Sequence, residues 1–283
     1  MAQLINGREL ADNLQEQMRL EVDVLKKQGV FPGLVVFLVG DDPASKTYIK
    51  NKEIASQKIG IQSTVENYPS DISEEKLLAE IEKYNNDPNY HGILVQLPLP
   101  GHIDEEKVLL AIDPKKDVDG FHPMNMGKLL LGQPQTLPCT PYGIMKMFEA
   151  YEIHLEGKHA IVIGRSNIVG KPMAQLLLAK NATVTMAHSH TKDLPALAKQ
   201  ADVIVSAVGK GNFVTKDFVK EGAVVIDVGM NRDENGKRIG DVNFVEVEPK
   251  ASFITPVPKG VGPMTITMLM QQTIEACKRQ EFN

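Results

Sequence analysis

The 283-residue chain contains no tryptophan and only two cysteines, Cys139 and Cys277. Two thiols so far apart have no metal-ligand spacing, so no bound metal is expected. They suit a reducing compartment, with a disulfide between them left open. The chain also has no surplus of positive charge: its formal net charge is −5 and its pI is near 5.8. That leaves no electrostatic footprint for nucleic acid or for an acidic membrane surface. No apolar run reaches the length of a bilayer span. The first residues mix Arg8, Glu9 and Asp12 and read as neither a signal nor a transit peptide. The expectation is a cytoplasmic protein with no nucleic-acid or membrane partner.

The standard GxGxxG fingerprint is missing as well: in the stretch that organises the chain Gly164 and Gly170 stand six apart with Ser166 between them, a weaker signal than the standard one. His159 to Ser189 reads as a buried apolar strand (Ala160–Ile163), a glycine turn at Gly164, and Gly170-Lys171-Pro172 leading into an apolar helix. A second β-branched strand follows at Thr183–Met186. Strand, glycine turn, helix and strand in about 30 residues is the βαβ unit that seats a dinucleotide. Glycine lets backbone approach a pyrophosphate, and a helix start offers unpaired N–H groups. Gly164, Ser166, Val169 and Gly170 are therefore cofactor-binding candidates, with simple packing as the alternative. The acid that holds the ribose 2′-hydroxyl in NAD binders is absent from the end of the second strand. His188, Ser189 and His190 stand there, and Arg165 lies in the turn. Cationic and hydroxyl donors suit a 2′-phosphate, hence NADP.

Hydrophobic residues make up 42% of the chain, ample for two cores. Ahead of the nucleotide unit the pattern alternates strand and helix three times. The helices are expected from an Asn6 cap to Gly29, from an Asp42 cap with Pro43 to Ile59, from an Asp71 cap to Tyr84, and over Glu105–Ala111. Strands are expected at Leu34–Val39, Ile61–Tyr68 and 92–97. Such alternation indicates a parallel α/β sheet. From Asp113 to Pro141 the periodicity fails, which marks a linker or functional loop. A helix through Tyr151, the nucleotide unit, two further strands, a short helix at Lys216–Lys220, a hairpin or loop tip at Arg232–Gly240 and a helix from Thr265 to Arg279 complete the chain. The last helix comes too late for the second sheet and is expected to pack on the first domain.

Several residues have the chemistry of a site. Tyr48 and Lys52 share one helix face beyond a strand's carboxyl end, where open α/β sheets bind ligands. A partly desolvated lysine there would exchange protons near neutrality; the plainer reading is a solvated lysine beside Lys46, Lys50 and Lys58. Gln96 opens a rigid Gln-Leu-Pro-Leu-Pro turn and could orient a catalytic group or merely stabilise the turn. Asp119, in Lys116-Asp117-Val118-Asp119-Gly120, reads equally well as a turn aspartate bonded to its own backbone or as a carboxylate facing an amidine-like edge. Asp227-Val228-Gly229 and the stretch Pro256 to Thr265, with Pro258 and Gly262, fix backbone against which a flat cofactor or substrate could lie. An ordinary Pro/Gly-rich connection is the alternative.

Taken together, Tyr48-Ile49-Lys50-Asn51-Lys52, Gln96-Leu97-Pro98-Leu99-Pro100, Lys116-Asp117-Val118-Asp119-Gly120, Gly164-Arg165-Ser166 with Val169-Gly170-Lys171-Pro172, and Gly260-Val261-Gly262-Pro263-Met264-Thr265 strongly resemble the bifunctional methylenetetrahydrofolate dehydrogenase/methenyltetrahydrofolate cyclohydrolase family. The resemblance covers essentially the whole chain. It implies a two-domain α/β fold: an N-terminal α/β domain and a Rossmann-like NADP-binding domain flanking a cleft, with the C-terminal helix returning to the first domain. The domains are expected at 1–139 with 264–283, and at 140–263. It further implies oxidation of 5,10-methylenetetrahydrofolate, hydrolysis of the product to 10-formyltetrahydrofolate, NADP as cofactor, tetrahydrofolate one-carbon derivatives as substrates, and a homodimer. By position, Lys52 is the main catalytic residue, Tyr48 packs along the pterin, Gln96 contacts Lys52 and Asp119 holds the pterin's amino edge. Arg165 and Ser189 fall where the family binds the 2′-phosphate, and Pro258 and Gly262 line the substrate. One departure stands out: the family's Pro-Gly-Gly appears as Pro258-Lys259-Gly260. A side chain at 259 is expected to demand an ordinary backbone angle and to add a cation near the cleft. The rival readings are another two-domain NAD(P) dehydrogenase, of amino-acid or shikimate type, and a non-catalytic NADP sensor.

Overall fold

The computed structural model describes residues 2–282. In chain order the elements are β1 (Gln3–Leu4), α1 (Gly7–Lys27), β2 (Gly33–Val39), α2 (Pro43–Ile59), β3 (Gln62–Tyr68), α3 (Glu74–Asn86), β4 (Gly92–Val95), α4 (Glu105–Ala111), α5 (Pro123–Leu130) and α6 (Cys139–Ala150). There follow β5 (His159–Ile163), α7 (Gly170–Leu178), β6 (Thr183–Ala187), α8 (Leu194–Ala198), β7 (Val203–Ser206), a 3-10 turn at Lys216–Phe218, β8 (Val224–Asp227), β9 (Asn231–Arg232), β10 (Arg238–Ile239), α9 (Phe244–Val247), β11 (Phe253–Ile254) and α10 (Val261–Phe282).

The chain divides into two compact units, one of residues 12–139 with 266–283 and one of residues 1–11 with 140–265. In the first, β3-β2-β4 form a parallel sheet with Leu34 opposite Gly92 and Phe37 opposite Val95. All seven residues of β2 are buried, as befits a central parallel strand covered on both faces. Val35, Phe37, Leu77, Ile81, Ile93, Val95 and Val108 form one core around it. The start of α2 is fixed by its sequence: Asp42 accepts a 2.7 Å bond from the Ser45 N–H, with Pro43 at the first helical position. Its end is Gly60, at φ 89°, whose N–H bonds the last carbonyls. The α3 cap is Ser73, whose hydroxyl accepts from the Lys76 N–H, and not Asp71. The segment expected to be irregular holds α5, capped by the His122 ring, which accepts from the Met124 N–H. Residues 266–282 of α10 group with this unit, as expected of the C-terminal helix. There Thr267 accepts from Gln15 at 2.9 Å and Lys278 pairs with Glu21 at 2.7 Å.

In the second unit six parallel strands run in the order β1-β11-β8-β7-β5-β6. The chain steps from β5 outward to β6 and then back to β7 on the other side of β5, which creates a topological switch point at β5. Residues 1–11, expected with the first domain, lie here because Gln3 and Leu4 pair with Phe253 and Ile254. The Arg232–Gly240 stretch is the β9-β10 hairpin. Cys139 and Cys277 are both free and buried, so they form no disulfide. Among the described residues no helix is long and apolar enough to cross a membrane, and no group of three or more His, Cys, Asp or Glu is placed to hold a metal.

Candidate active site

In the first unit the carboxyl end of β4 and the middle of α2 meet through one hydrogen bond: Lys52 Nζ donates to Gln96 Oε1 at 2.8 Å. Gln96 follows the last residue of β4, its N–H bonded to the Phe37 carbonyl at 2.9 Å. Its side-chain N–H donates to the Leu97 carbonyl at 2.8 Å, which leaves the amide oxygen turned toward the lysine. Tyr48 lies one turn before Lys52, and both side chains are half-buried. Burial lowers the Lys52 pKa from its ordinary value, against the opposing pull of Asp119 and Cys139. The neighbouring lysines are of the plainer kind: Lys46 and Lys58 are exposed and paired with Asp41 and Asp12. Lys52, unlike these two, bonds an uncharged partner and has a desolvated amine.

Asp119 lies beside this lysine, its pKa raised by burial, lowered by Lys52 and raised again by Asp117. The structure divides the two roles that the Asp-Val-Asp-Gly stretch left open. Asp117 is the turn aspartate: it is buried, with Oδ1 accepting from the Gly120 N–H at 2.9 Å and Oδ2 from the His122 N–H at 2.9 Å and Asn125 Nδ2 at 2.8 Å. Asp119 is instead half-buried and within electrostatic reach of Lys52, while the buried Cys139 thiol donates to the carbonyl of the preceding Val118 at 3.4 Å. A half-buried amine, a neutral amide oxygen and a carboxylate can together hold a polar heterocycle and pass a proton to or from it.

The candidate nucleotide site lies in the second unit. Gly164 and Gly170 have a packing reason to be glycine. A Cβ on Gly164, at φ 132°, would lie 2.4 Å from the Ala207 carbonyl oxygen, and one on Gly170 would lie 2.4 Å from that of Gly164. Ser166 Oγ accepts from the Val169 and Gly170 N–H groups at 3.2 and 3.3 Å, just ahead of α7. Ile163 and Ala187 are paired across β5 and β6, so Arg165 and Ser189 emerge from adjacent parallel strands. Both are exposed. His188 Nδ1 accepts from the His190 N–H, and Thr191 Oγ1 accepts from the His188 N–H, which fixes the backbone of this turn. The turn after β6 carries imidazole and hydroxyl groups and no carboxylate from His188 to Lys192.

Asp227 is occupied within the fold. Its oxygens accept from the N–H groups of Gly229, Asp241 and Val242 at 2.8–2.9 Å, and burial pushes its pKa up to about 7 despite those bonds. A Cβ on Gly229 would lie 2.3 Å from the Asp241 N. Asp241, which the sequence reading passed over, accepts from the Val208, Gly209 and Lys210 N–H groups at 2.7–3.2 Å. These two buried carboxylates shape the loops at the ends of β7 and β8.

The Pro256–Thr265 loop corrects one expectation. Lys259 does not keep an ordinary angle: its φ is 84°. The reason is a tether within this unit, where the Lys259 carbonyl accepts the Arg8 N–H at 3.0 Å and serves an otherwise unpaired donor at the start of α1. Gly260 follows so tightly that a Cβ would lie 2.4 Å from the Pro256 carbonyl oxygen. Pro258 and the Lys259 side chain are exposed, and the nearest atom to a Cβ on Gly262 would be Met230 Sδ at 3.7 Å.

Residues 5–119 match the family described as tetrahydrofolate dehydrogenase/cyclohydrolase, catalytic domain, and residues 138–281 match its NAD(P)-binding domain. The chain belongs to the tetrahydrofolate dehydrogenase/cyclohydrolase family. Among its relatives, the bifunctional protein FolD of Enterococcus faecalis is 69% identical over 281 residues, which cover 99% of this chain and 100% of that one. The crystal structure of FolD methylenetetrahydrofolate dehydrogenase/cyclohydrolase from Campylobacter jejuni superimposes with a TM-score of 0.97 at 50% identity, covering 99% of each chain. The Trypanosoma brucei enzyme, solved with NADP cofactor and inhibitor, gives 0.96 at 36% identity over 100% of this chain and 99% of that one. Within the tetrahydrofolate dehydrogenase/cyclohydrolase family's catalytic-domain match fall Tyr48, Lys52, Gln96 and Asp119; Gly164 to Ser189 fall within its NAD(P)-binding match. Cys139 and Gln272, absent from the sequence-based site, touch the same group through Asp119 and the Val118 carbonyl.

Proposed function

We propose that this chain oxidises 5,10-methylenetetrahydrofolate to the 5,10-methenyl cation with NADP⁺ and hydrolyses that cation to 10-formyltetrahydrofolate, with Lys52 moving the protons of the second step. The observation that carries this reading is the 2.8 Å bond from a desolvated Lys52 amine to an uncharged amide oxygen. Family membership and the relatives' activities support it. When bound, NADP⁺ takes up the hydride that leaves the methylene carbon. The methylene carbon lies between two nitrogens, so the product cation is resonance-stabilised and little acid catalysis is needed. The chain's task in that step is placement: Tyr48 lies along the pterin and Asp119 takes its amino edge.

Hydrolysis asks more of the protein. Water must lose a proton as it attacks the methenyl carbon, and a ring nitrogen must gain one before the C–N bond breaks. A neutral Lys52 takes the first proton and, as the ammonium, gives it to the ring nitrogen. As the C–N bond breaks, the carbinol O–H gives up the remaining water proton, which is the one proton the hydrolysis releases. Gln96 aims the amine without adding negative charge, which keeps the neutral form accessible. Arg165 and Ser189, side by side at the ends of β5 and β6, hold the 2′-phosphate and favour NADP over NAD; Gly164, Ser166, Val169 and Gly170 shape the turn beside the pyrophosphate. Asp227 with Gly229, and Pro258 with Gly262, act through the backbone they fix. The assembly proposed is a homodimer, on the family resemblance. The test is Lys52→Met, assayed for both half-reactions: formyl product is expected to vanish while hydride transfer remains measurable. Equal loss of both activities overturns the division of labour.

A further inference from the structure

Asp119 owes its position to its neighbours. The carbonyl of Val118, the residue before it, accepts from Gln272 Nε2 at 2.8 Å and from Cys139 Sγ at 3.4 Å. Gln272 Nε2 also donates to the Leu137 carbonyl at 2.7 Å and lies 3.4 Å from Cys139 Sγ, while Gln272 Oε1 accepts the Leu137 N–H at 2.6 Å. On the other side of Asp119, Gly120 lies so close to the 137–138 backbone that a Cβ there would sit 2.5 Å from the Leu137 carbonyl carbon. Gln272 and Cys139 are each 1% exposed. One buried amide on α10 thus ties together both segments that bracket the carboxylate. Its chemistry is specific: the site asks for donors to carbonyls and an acceptor for an N–H from one side chain. A carboxylate lacks the donors, and an aliphatic chain lacks both.

We propose that Gln272 is a positioning residue for the folate site, setting the place of Asp119 through the Val118 carbonyl and the Cys139 thiol. This rests on the folate reading above. Groups that titrate or carry charge around the pair are few. Lys52, Asp117 and Cys139 face Asp119, while Asp119 and Cys139 face Lys52. Gln272 is uncharged, so its removal alters the pH dependence of hydrolysis only by moving these groups.

The experiment is a double-mutant cycle of Gln272→Met with Asp119→Asn, read as kcat and KM for methylenetetrahydrofolate and as the pH profile of methenyl hydrolysis. Alone, Gln272→Met is expected to lower kcat/KM for the folate by about tenfold to a hundredfold, the scale of a displaced site group. The NADP⁺ dissociation constant is expected to stay unchanged and the pH profile to shift. In the Asp119→Asn background the same substitution is expected to add no more than about twofold. Losses that multiply, or a pH profile and folate kinetics that stay unchanged while only Tm falls, overturn the proposal. Should Gln272→Met not fold, Cys139→Ala replaces it in the cycle under the same criteria. No turnover of either folate by the unaltered chain removes the functional reading and this proposal together; normal turnover with multiplying losses removes the proposal alone.

Discussion

Replacing Gln96 with glutamate changes one atom's worth of shape and a full charge. The new carboxylate would stand where the amide oxygen now sits, 2.8 Å from Lys52 Nζ. Two unit charges at that distance in an effective dielectric of about 20 attract by about 6 kcal/mol, about four pKa units if nothing opposed it. Desolvation of the new carboxylate takes back much of this, and an opposite charge at close range raises a lysine pKa by about one to three units. Lys52 must be neutral to accept the proton of water, so the sign is fixed. A raised pKa moves the rising limb of the hydrolysis profile to higher pH. At neutral pH the neutral fraction, and with it the hydrolysis rate, is expected to fall by about tenfold to a thousandfold. Hydride transfer needs no neutral amine and is expected to fall much less. The assay follows methenyl disappearance and NADPH formation separately across a series of pH values from acidic to alkaline. A hydrolysis limb that stays in place, or dehydrogenase and cyclohydrolase falling in parallel at every pH, would refute the idea that an uncharged partner keeps Lys52 basic.

Two further outcomes are expected. Arg165→Ala removes a charge-assisted contact to the 2′-phosphate and should weaken NADP⁺ by about tenfold to a hundredfold in equilibrium titration, with NAD⁺ nearly unaffected; equal weakening of both sinks the cofactor assignment. Lys259→Gly relieves about 1–2 kcal/mol of left-handed backbone at an exposed position, less about 0.4–1 kcal/mol of added freedom in the unfolded chain. Tm should rise by about 2–4 °C for each kcal/mol gained, and Lys259→Val should lower it; calorimetry with the order reversed refutes the strain.

Much of the fold could be read from local chemistry. β2 shows itself as a run of seven apolar or glycine residues, and α2 by an aspartate-proline start and a glycine stop. The pieces that escaped notice have no such marks. β1 is two exposed residues long, and only the edge of β11 makes it a strand. α5 starts from a histidine ring, an unusual cap, inside a Gly/Pro-rich stretch. Within the site, the shared face of Tyr48 and Lys52 follows from their spacing of four. The desolvation of Lys52 does not: in the sequence it looks like Lys46 and Lys58, and what separates them is Gln96, brought from 44 residues away. Gln272 was beyond reach because its partners are backbone groups 154 and 135 residues distant.

Lys259 exposes the opposite limit, where local preference pointed the wrong way. A lysine side chain favours negative φ, so a normal angle was the reasonable expectation from the residue alone. The chain instead accepts the left-handed angle, because turning the 259 carbonyl away would strip the Arg8 N–H of its acceptor and break the close passage of Gly260 over Gly7, where a Cβ on Gly7 would lie only 2.0 Å from the Gly260 oxygen. The Arg8 N–H lies in the first turn of α1 with no acceptor within the helix, and the hydrogen bond it would lose contributes about 0.5–1.5 kcal/mol, comparable to the cost of the strained angle. The loop's shape is therefore set by what it must reach, and the residue at its tip conforms.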